Sequence, residues 1–152
     1  MSRFERRLAE AGIALEVRRF PEGTRTAGDA AAAIGCSVGQ IVKSLVLTAR
    51  GRPLVALVSG GNRLDALKLA AIAGAPVIMA GAEAARAATG YAIGGVPPFG
   101  YEAELAVYMD RDLEAHQVVW AAAGRPDSVF PIAPARLREL SGAQVVDLKL
   151  DG

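Results

Sequence analysis

The sequence has one cysteine, one histidine and one tryptophan in 152 residues, and aromatic side chains make up 5% of it. Cys36 has no second cysteine to pair with, so no disulfide staples the chain, and a cytoplasmic location is expected. Cys36 and His116 are too few for a zinc site, which takes three or four nitrogen or sulfur ligands. No metal and no other cofactor is expected. A serine triad would have to use His116 as its base, so acyl-enzyme chemistry is not supported. Charge of one sign is lacking as well. The 17 basic and 16 acidic residues leave a net charge of +1, too little for charge-driven binding to duplex DNA, so any nucleic-acid contact should be local. No apolar run approaches the roughly 18 residues of a membrane helix. The stretch Met1-Ser2-Arg3-Phe4-Glu5-Arg6-Arg7 is charged where a signal peptide is apolar.

What is present is a chain of single-domain length, 52% apolar and rich in alanine, so residues 1–152 are expected to form one domain with its own core. Residues 2–12 put Phe4, Leu8 and Ala11 on one face of a first helix that stops at Gly12. Residues 15–20 alternate as a half-exposed strand does, and Pro21-Glu22-Gly23 ends it. Thr26 reads as the N-cap of a helix over 27–34, with Asp29 placed as in a capping box and Gly35 as the stop. Ser37 opens a short helical turn. Residues 40–49 and 54–58 form a hairpin about the turn Arg50-Gly51-Arg52-Pro53, and arms this apolar need cover on both faces. Residues 65–73 have helical spacing, with Leu64, Leu67 and Ala71 on one side and a surface ion pair between Asp65 and Lys68. Short strands follow over 76–79, 104–110, 117–122 and 144–147, with helices over 82–88 and 134–141, the last one stopped by Gly142. Strands and helices alternate, which gives an α/β fold: a mixed sheet of about six or seven strands surrounded by helices.

Two stretches carry chemistry. Lys43 interrupts the apolar run Gln40-Ile41-Val42-Lys43-Ser44-Leu45-Val46-Leu47. An ammonium group there is either a snorkelling edge residue or a group kept for use, because burying a charge without a partner is costly. The second is Thr89 to Gly100, with four glycines and two prolines. Glycine lets the backbone approach a ligand while proline removes freedom, so the loop either presents its amides in one arrangement or is a firmly built connection. It lacks the lysine and hydroxyl residue of a phosphate-binding loop. Asp110, at a strand end, is read as a cap for the turn Arg111-Asp112-Leu113 in preference to a catalytic acid, and His116 as a surface or hydrogen-bonding residue in preference to a base. A lysine and a rigid loop can hold an acyl group, donate to a developing oxyanion and position water, which suits an already reactive ester.

The runs Gln40 to Leu45, Ser59-Gly60, Asp65 to Leu69, Thr89-Gly90-Tyr91, Gly94-Gly95-Val96-Pro97-Pro98-Phe99-Gly100 and Ala123-Gly124, in that order and spacing, resemble the YbaK/ProX family of aminoacyl-tRNA deacylases. That family is similar to the editing domain of bacterial prolyl-tRNA synthetases. The resemblance implies a trans-editing hydrolase acting on mischarged tRNA, such as Cys-tRNA or Ala-tRNA of the proline acceptor. It further implies Lys43 as the essential lysine, and Gly94, Gly95, Val96, Pro97, Pro98, Phe99 and Gly100 as the substrate loop, with Ser44 and Gly124 beside them. The tRNA acceptor end is the implied partner, with prolyl-tRNA synthetase or an elongation factor delivering it. The alternative is a catalytically silent relative that binds an amino acid or a tRNA end. Where family members can carry a histidine or aspartate after the glycine matching Gly124, this chain has Asp127-Ser128-Val129-Phe130, which leaves the specificity group open.

Overall fold

The computed structural model describes residues 2–21 and 26–151, so Glu22 and Gly23 of the expected turn lie outside the described residues. In chain order the elements are α1 (Arg3–Glu10), β1 (Arg18–Arg19), α2 (Ala27–Ile34), a 3-10 turn (Val38–Gln40), β2 (Val42–Ala49), β3 (Arg52–Ser59), α3 (Ala66–Ala73), β4 (Val77–Met79), α4 (Ala82–Thr89), β5 (Ala106–Asp110), a second 3-10 turn (Arg111–Ala115), β6 (Val119–Ala122), β7 (Ser128–Ile132), α5 (Pro134–Ser141) and β8 (Gln144–Val146). The α/β class and the surrounding helices are as expected. The strands number eight among the described residues and form two sheets, one of order β4-β2-β3-β5-β8 and one of order β1-β7-β6.

The β2–β3 hairpin is the spine of the larger sheet. Arg50 and Gly51 both take positive φ, 52° and 75°, the pattern of a two-residue turn whose twist matches the strands it joins. Arg52 and Pro53, expected in the turn, already pair with Ala49 and Thr48. Proline is tolerated there because β5 begins opposite Leu54 and asks nothing of Pro53. Alternation then sends the hairpin's side chains to two cores. Val42, Val46, Val55 and Leu57 enter the larger one, with Phe4, Phe99, Val119 and Phe130. Leu47, Leu54, Ala56 and Val58 enter the second, under α3. Both faces are covered, as the apolar arms require.

Three local expectations change. Helix α3 turns Leu69 inward, fully buried, with Ile72 and Leu64 beside it, while Leu67 is 83% exposed. Asp65 does not pair with Lys68: its Oδ1 caps the helix, accepting from the backbone N–H groups of Leu67 and Lys68 at 2.9 and 3.2 Å. Lys68 reaches instead to Asp147 and Asp151, both at 3.0 Å, and ties the end of the chain to α3. Finally, β7 forms where no element was expected, and Arg18 and Arg19 are the strand residues of the 15–20 stretch because they alone pair with it.

Helix α1 is capped by Ser2, whose Oγ accepts from Glu5 N–H at 3.1 Å while Glu5 Oε1 accepts from Ser2 N–H at 3.3 Å. It delivers Phe4, 1% exposed, onto Phe99 and Phe130, with ring centroids 5.4 Å away in each case. Gly124 takes φ +94°, and a Cβ there would stand 2.8 Å from Phe4 Cβ. Glycine is what lets the β6–β7 turn close over this ring.

The face assignment of α3 is directly testable. Leu69→Ala should destabilise the fold by about 2–5 kcal/mol, whereas Leu67→Ala should stay within about 0.5 kcal/mol of the parent. Denaturant melts of the two variants decide it, and the reverse order would restore the face read from sequence.

Candidate active site

The site arises where the two sheets part. Ile41 and Trp120 form a parallel bridge, the point at which the edge of β2 meets β6. On the same edge, β4 pairs only from Leu47 onward. Between those points the ladder pairs β2 with β3 alone among the described residues, and there a cleft of about 440 Å³ opens. Lys43 and Ser44 of β2, Trp120 and Ala121 of β6, and Ile93 and Val96 of the glycine-rich loop line it. Helix α2 adds its small residues: Ala27 and Ala30 also face this space. Gly60 closes the corner. Its N–H donates to Ile41 O at 2.7 Å, and a Cβ would lie 2.9 Å from Ala27 Cβ and 2.5 Å from Val38 O, so no other residue fits without displacing the backbone.

Lys43 is half-buried, and its ammonium donates to the backbone carbonyl of Asn62 at 2.5 Å. Burial pushes its pKa below the usual lysine value; the negative charge of Asp110 opposes the shift and the positive charge of Arg63 adds to it. Asn62 is held in turn. Its Nδ2 donates to Asp110 Oδ2 at 2.9 Å and to Asp112 Oδ2 at 2.8 Å. Strands β3 and β5 are parallel, so Ser59 and Asp110 emerge at the same end of the sheet, the end where α/β proteins gather functional groups. Asp110 is fully buried. Its Oδ2 also accepts from Ser59 N–H at 3.1 Å, while its Oδ1 accepts from Asp112 N–H at 2.9 Å. The expected cap is there, and the same carboxylate reaches the lysine's support.

The residues singled out from sequence divide into two groups. Lys43, Ser44, Gly94 and Val96 line the cleft. Ser44 Oγ is buried and has no hydrogen-bond partner among the described residues. Gly95 is buried against the Arg125 backbone, which a Cβ would approach to 2.9 Å. Pro97, Pro98 and Phe99 are buried behind the cleft wall. Pro97 O accepts from Tyr101 Oη at 2.7 Å, and Gly100 O accepts from Tyr91 Oη at 3.1 Å. Gly100 and Gly124 both abut Phe4. Asp127 pairs with Arg19 at 3.2 Å. His116 ends the second 3-10 turn, its Nε2 3.3 Å from where a Cβ on Gly39 would stand. Neither Asp127 nor His116 lines the cleft.

Sequence reasoning passed over Asn62, read only as part of a loop, and Trp120, read only as a strand residue. Trp120 carries the Arg18 guanidinium 5.0 Å from its ring centroid. The run Gly35-Cys36-Ser37-Val38-Gly39 spells a Gly-x-Ser-x-Gly pattern, yet it follows a helix instead of a strand, and Ser37 Oγ donates to Gln40 Oε1 at 3.1 Å. It is not a nucleophile elbow. Among the described residues no group of three or more His, Cys, Asp and Glu could hold a metal ion.

Residues 21–140 match the family described as the aminoacyl-tRNA editing domain. A solved structure described as a provisional trans-editing enzyme for prolyl tRNA synthetase superposes with a TM-score of 0.93 at 46% identity, covering 98% of this chain and 96% of that one. EbsC of Enterococcus faecalis, provisionally named a Cys-tRNA(Pro)/Cys-tRNA(Cys) deacylase, is 28% identical over 85% of this chain and 80% of its own. A proline–tRNA ligase of Nitratidesulfovibrio vulgaris is 32% identical over 78% of this chain, which spans 20% of that enzyme.

The electrostatics of the cleft predict a titration. With 13C-labelled lysine, NMR should find Lys43 below the ordinary value of about 10.4, and Arg63→Ala should move it up, since a repelling cation is removed. A Lys43 signal at the ordinary value, unmoved by the substitution, would contradict the described surroundings.

Proposed function

The chain belongs to the aminoacyl-tRNA editing domain family, and from that premise we propose that it is a trans-editing hydrolase, removing a small amino acid from mischarged tRNA of the proline acceptor. The observation that carries the proposal is the ammonium of Lys43, half-buried at an open strand edge inside a small, largely apolar cleft. A volume of about 440 Å³ falls in the range of small-molecule sites and suits a small side chain together with the terminal ribose.

The chemistry asked of the protein is modest. An aminoacyl ester is already activated, so orientation and charge stabilisation replace a nucleophile. Water adds to the ester carbonyl carbon and gives up one of its protons to solvent. The carbonyl oxygen becomes negative and is stabilised by Lys43 and by backbone N–H groups of the loop at Gly94 and Val96, while the Gly95 N–H, which donates to Ala92 O at 3.0 Å, holds the loop's turn. The bond to the ribose oxygen then breaks, that oxygen takes the second proton of the added water, and the amino acid leaves as its carboxylate. In this reading Ser44 lies beside the substrate, while Pro97, Pro98, Phe99, Gly100 and Gly124 hold the loop's shape from behind. The acceptor end is the part of the tRNA that enters, which fits a net charge of +1 and delivery by prolyl-tRNA synthetase in the cytoplasm. An apolar pocket separates substrates differing by one methylene by only about 1–3 kcal/mol, so the amino acid has to be found by measurement.

Deacylation of Ala-, Cys- and Ser-charged tRNA of the proline acceptor, with Pro-tRNA as control, tests the proposal. The wild type should hydrolyse at least one mischarged species, and Lys43→Ala should lose about 100-fold or more while keeping its fold. Corrected for spontaneous hydrolysis, the rate should fall as pH rises through the pKa of Lys43. Because that pKa is depressed, the loss begins at lower pH than an ordinary lysine would give. No turnover by the wild type, with a small amino-acid ester still stabilising it, would identify a binding module instead.

A further inference from the structure

We propose that Asp110 is the positioning residue of this site: from full burial it fixes the Asn62 carbonyl on which Lys43 rests, and so holds the ammonium in the cleft. This rests on the editing function just proposed. A cap needs only an acceptor at the end of a strand, and serine or asparagine in a half-exposed position would serve. Asp110 is 0% exposed, and a carboxylate is costly to bury without strong partners. It collects three donors, the N–H groups of Ser59 and Asp112 and the side-chain amide of Asn62. Among the described residues it has no ion pair within 4.0 Å. The nearby opposite charge is Lys43, one residue beyond Asp110 through Asn62.

The direction of the chain of contacts matters. Asn62 has one side-chain amide, and both of the bonds it donates end on carboxylates, Asp110 and Asp112. Its N–H donates to Ser59 O at 2.9 Å. With side chain and backbone both fixed, its carbonyl has one direction left, toward Lys43 Nζ. Among the described residues the charged groups around the lysine are few: Asp110 at the end of β5, Asp112 on the following turn and Arg63 beside Asn62 in the loop, with His116 at the far end of the same turn. Asp110 is the one that is both buried and tied to the lysine's acceptor. It does not line the cleft, so it acts through Asn62 and not on substrate.

Two variants separate this from a purely structural cap. Asp110→Asn removes the charge and sets an amide against groups that are themselves donors. For deacylation of the mischarged tRNA the wild type prefers, kcat should fall about 10- to 100-fold with KM within about twofold, as misplacement of a catalytic group does. The basic limb of its pH profile should move to lower pH, since the negative charge that supports the ammonium is gone. Asn62→Ala keeps that charge and the accepting carbonyl but cuts the tie, so kcat should fall while the limb stays near its wild-type position; it also decides the matter if Asp110→Asn does not fold. Asp127→Asn, on the Arg19 side of the molecule, should leave the limb unmoved. Variants of Asp110 and Asn62 that lower the melting temperature but keep kcat and the limb would reduce Asp110 to a cap. If the wild type hydrolyses no charged tRNA, the editing function fails, while the NMR titration of Lys43 in Asp110→Asn still reports whether the carboxylate governs the lysine: an unshifted value overturns the inference.

Discussion

A lysine that leaves water must find its compensation nearby, and the way Lys43 does so shapes the surrounding loops. Its ammonium takes a neutral carbonyl as its direct partner, at Asn62, and keeps the compensating charge one step back on Asp110. A direct ion pair would have tied up the cation. With a carbonyl on one side, an ammonium retains N–H groups for something else. The loop from Ser59 to Asn62 is therefore not free to vary in shape, because it must hold one carbonyl to Lys43, one amide to two carboxylates and one glycine against α2.

The second constraint is the divergence of the sheets beyond the Ile41–Trp120 bridge. Open strand edges are ordinarily a hazard, since their backbone groups invite pairing with another chain. Here the exposed length is short, and α2, β6 and the glycine-rich loop surround it. A small ligand can reach backbone and side chains together in such a place, which a covered sheet interior does not allow. The absence of a nucleophile pattern in a strand-to-helix turn is consistent with this geometry, in which position and charge are the available resources.

Much of the fold was legible because local rules and tertiary demands agreed. The hairpin announced itself through β-branched and leucine residues in two arms joined about Arg50-Gly51-Arg52-Pro53, and the first helix through Phe4, Leu8 and Ala11 on one face with Gly12 as its stop. The failures occurred where they disagreed. In α3 nearly every residue is alanine, leucine or isoleucine, so periodicity has little contrast, and the docking partner, not the pattern, chose Leu69 over Leu67. Strand β7 contains Pro131, which demotes a run from sequence, but β1 reaches only Ser128 and Val129, so Pro131 faces no missing donor on that side. For the site, Lys43 stood out as one charge in an apolar run. Asp110 was readable as a cap from its neighbours, but Ser59 and Asn62 lie 51 and 48 residues earlier, and no short-range pattern connects them. The loop from Gly94 to Gly100 looked like one unit, while in space its first half faces the cleft and its second half packs into the core.

Phe4 draws these parts together in a further respect, that of timing. A chain is synthesised from its N-terminus, so this ring is made well before the residues it packs against. Its neighbour Ser2 donates to Ala123 O, 121 positions later, and the ring packs against Tyr91, Phe99, Gly100 and Phe130. Helix α1 is short and marginal by itself, and long-range closure is slow because chain entropy is lost before contacts repay it. The cluster behind the glycine-rich loop is thus complete only once Phe130 has emerged. Until then the apolar face of α1 is uncovered, and a nascent chain of this design is most exposed to mispairing just before β7 appears.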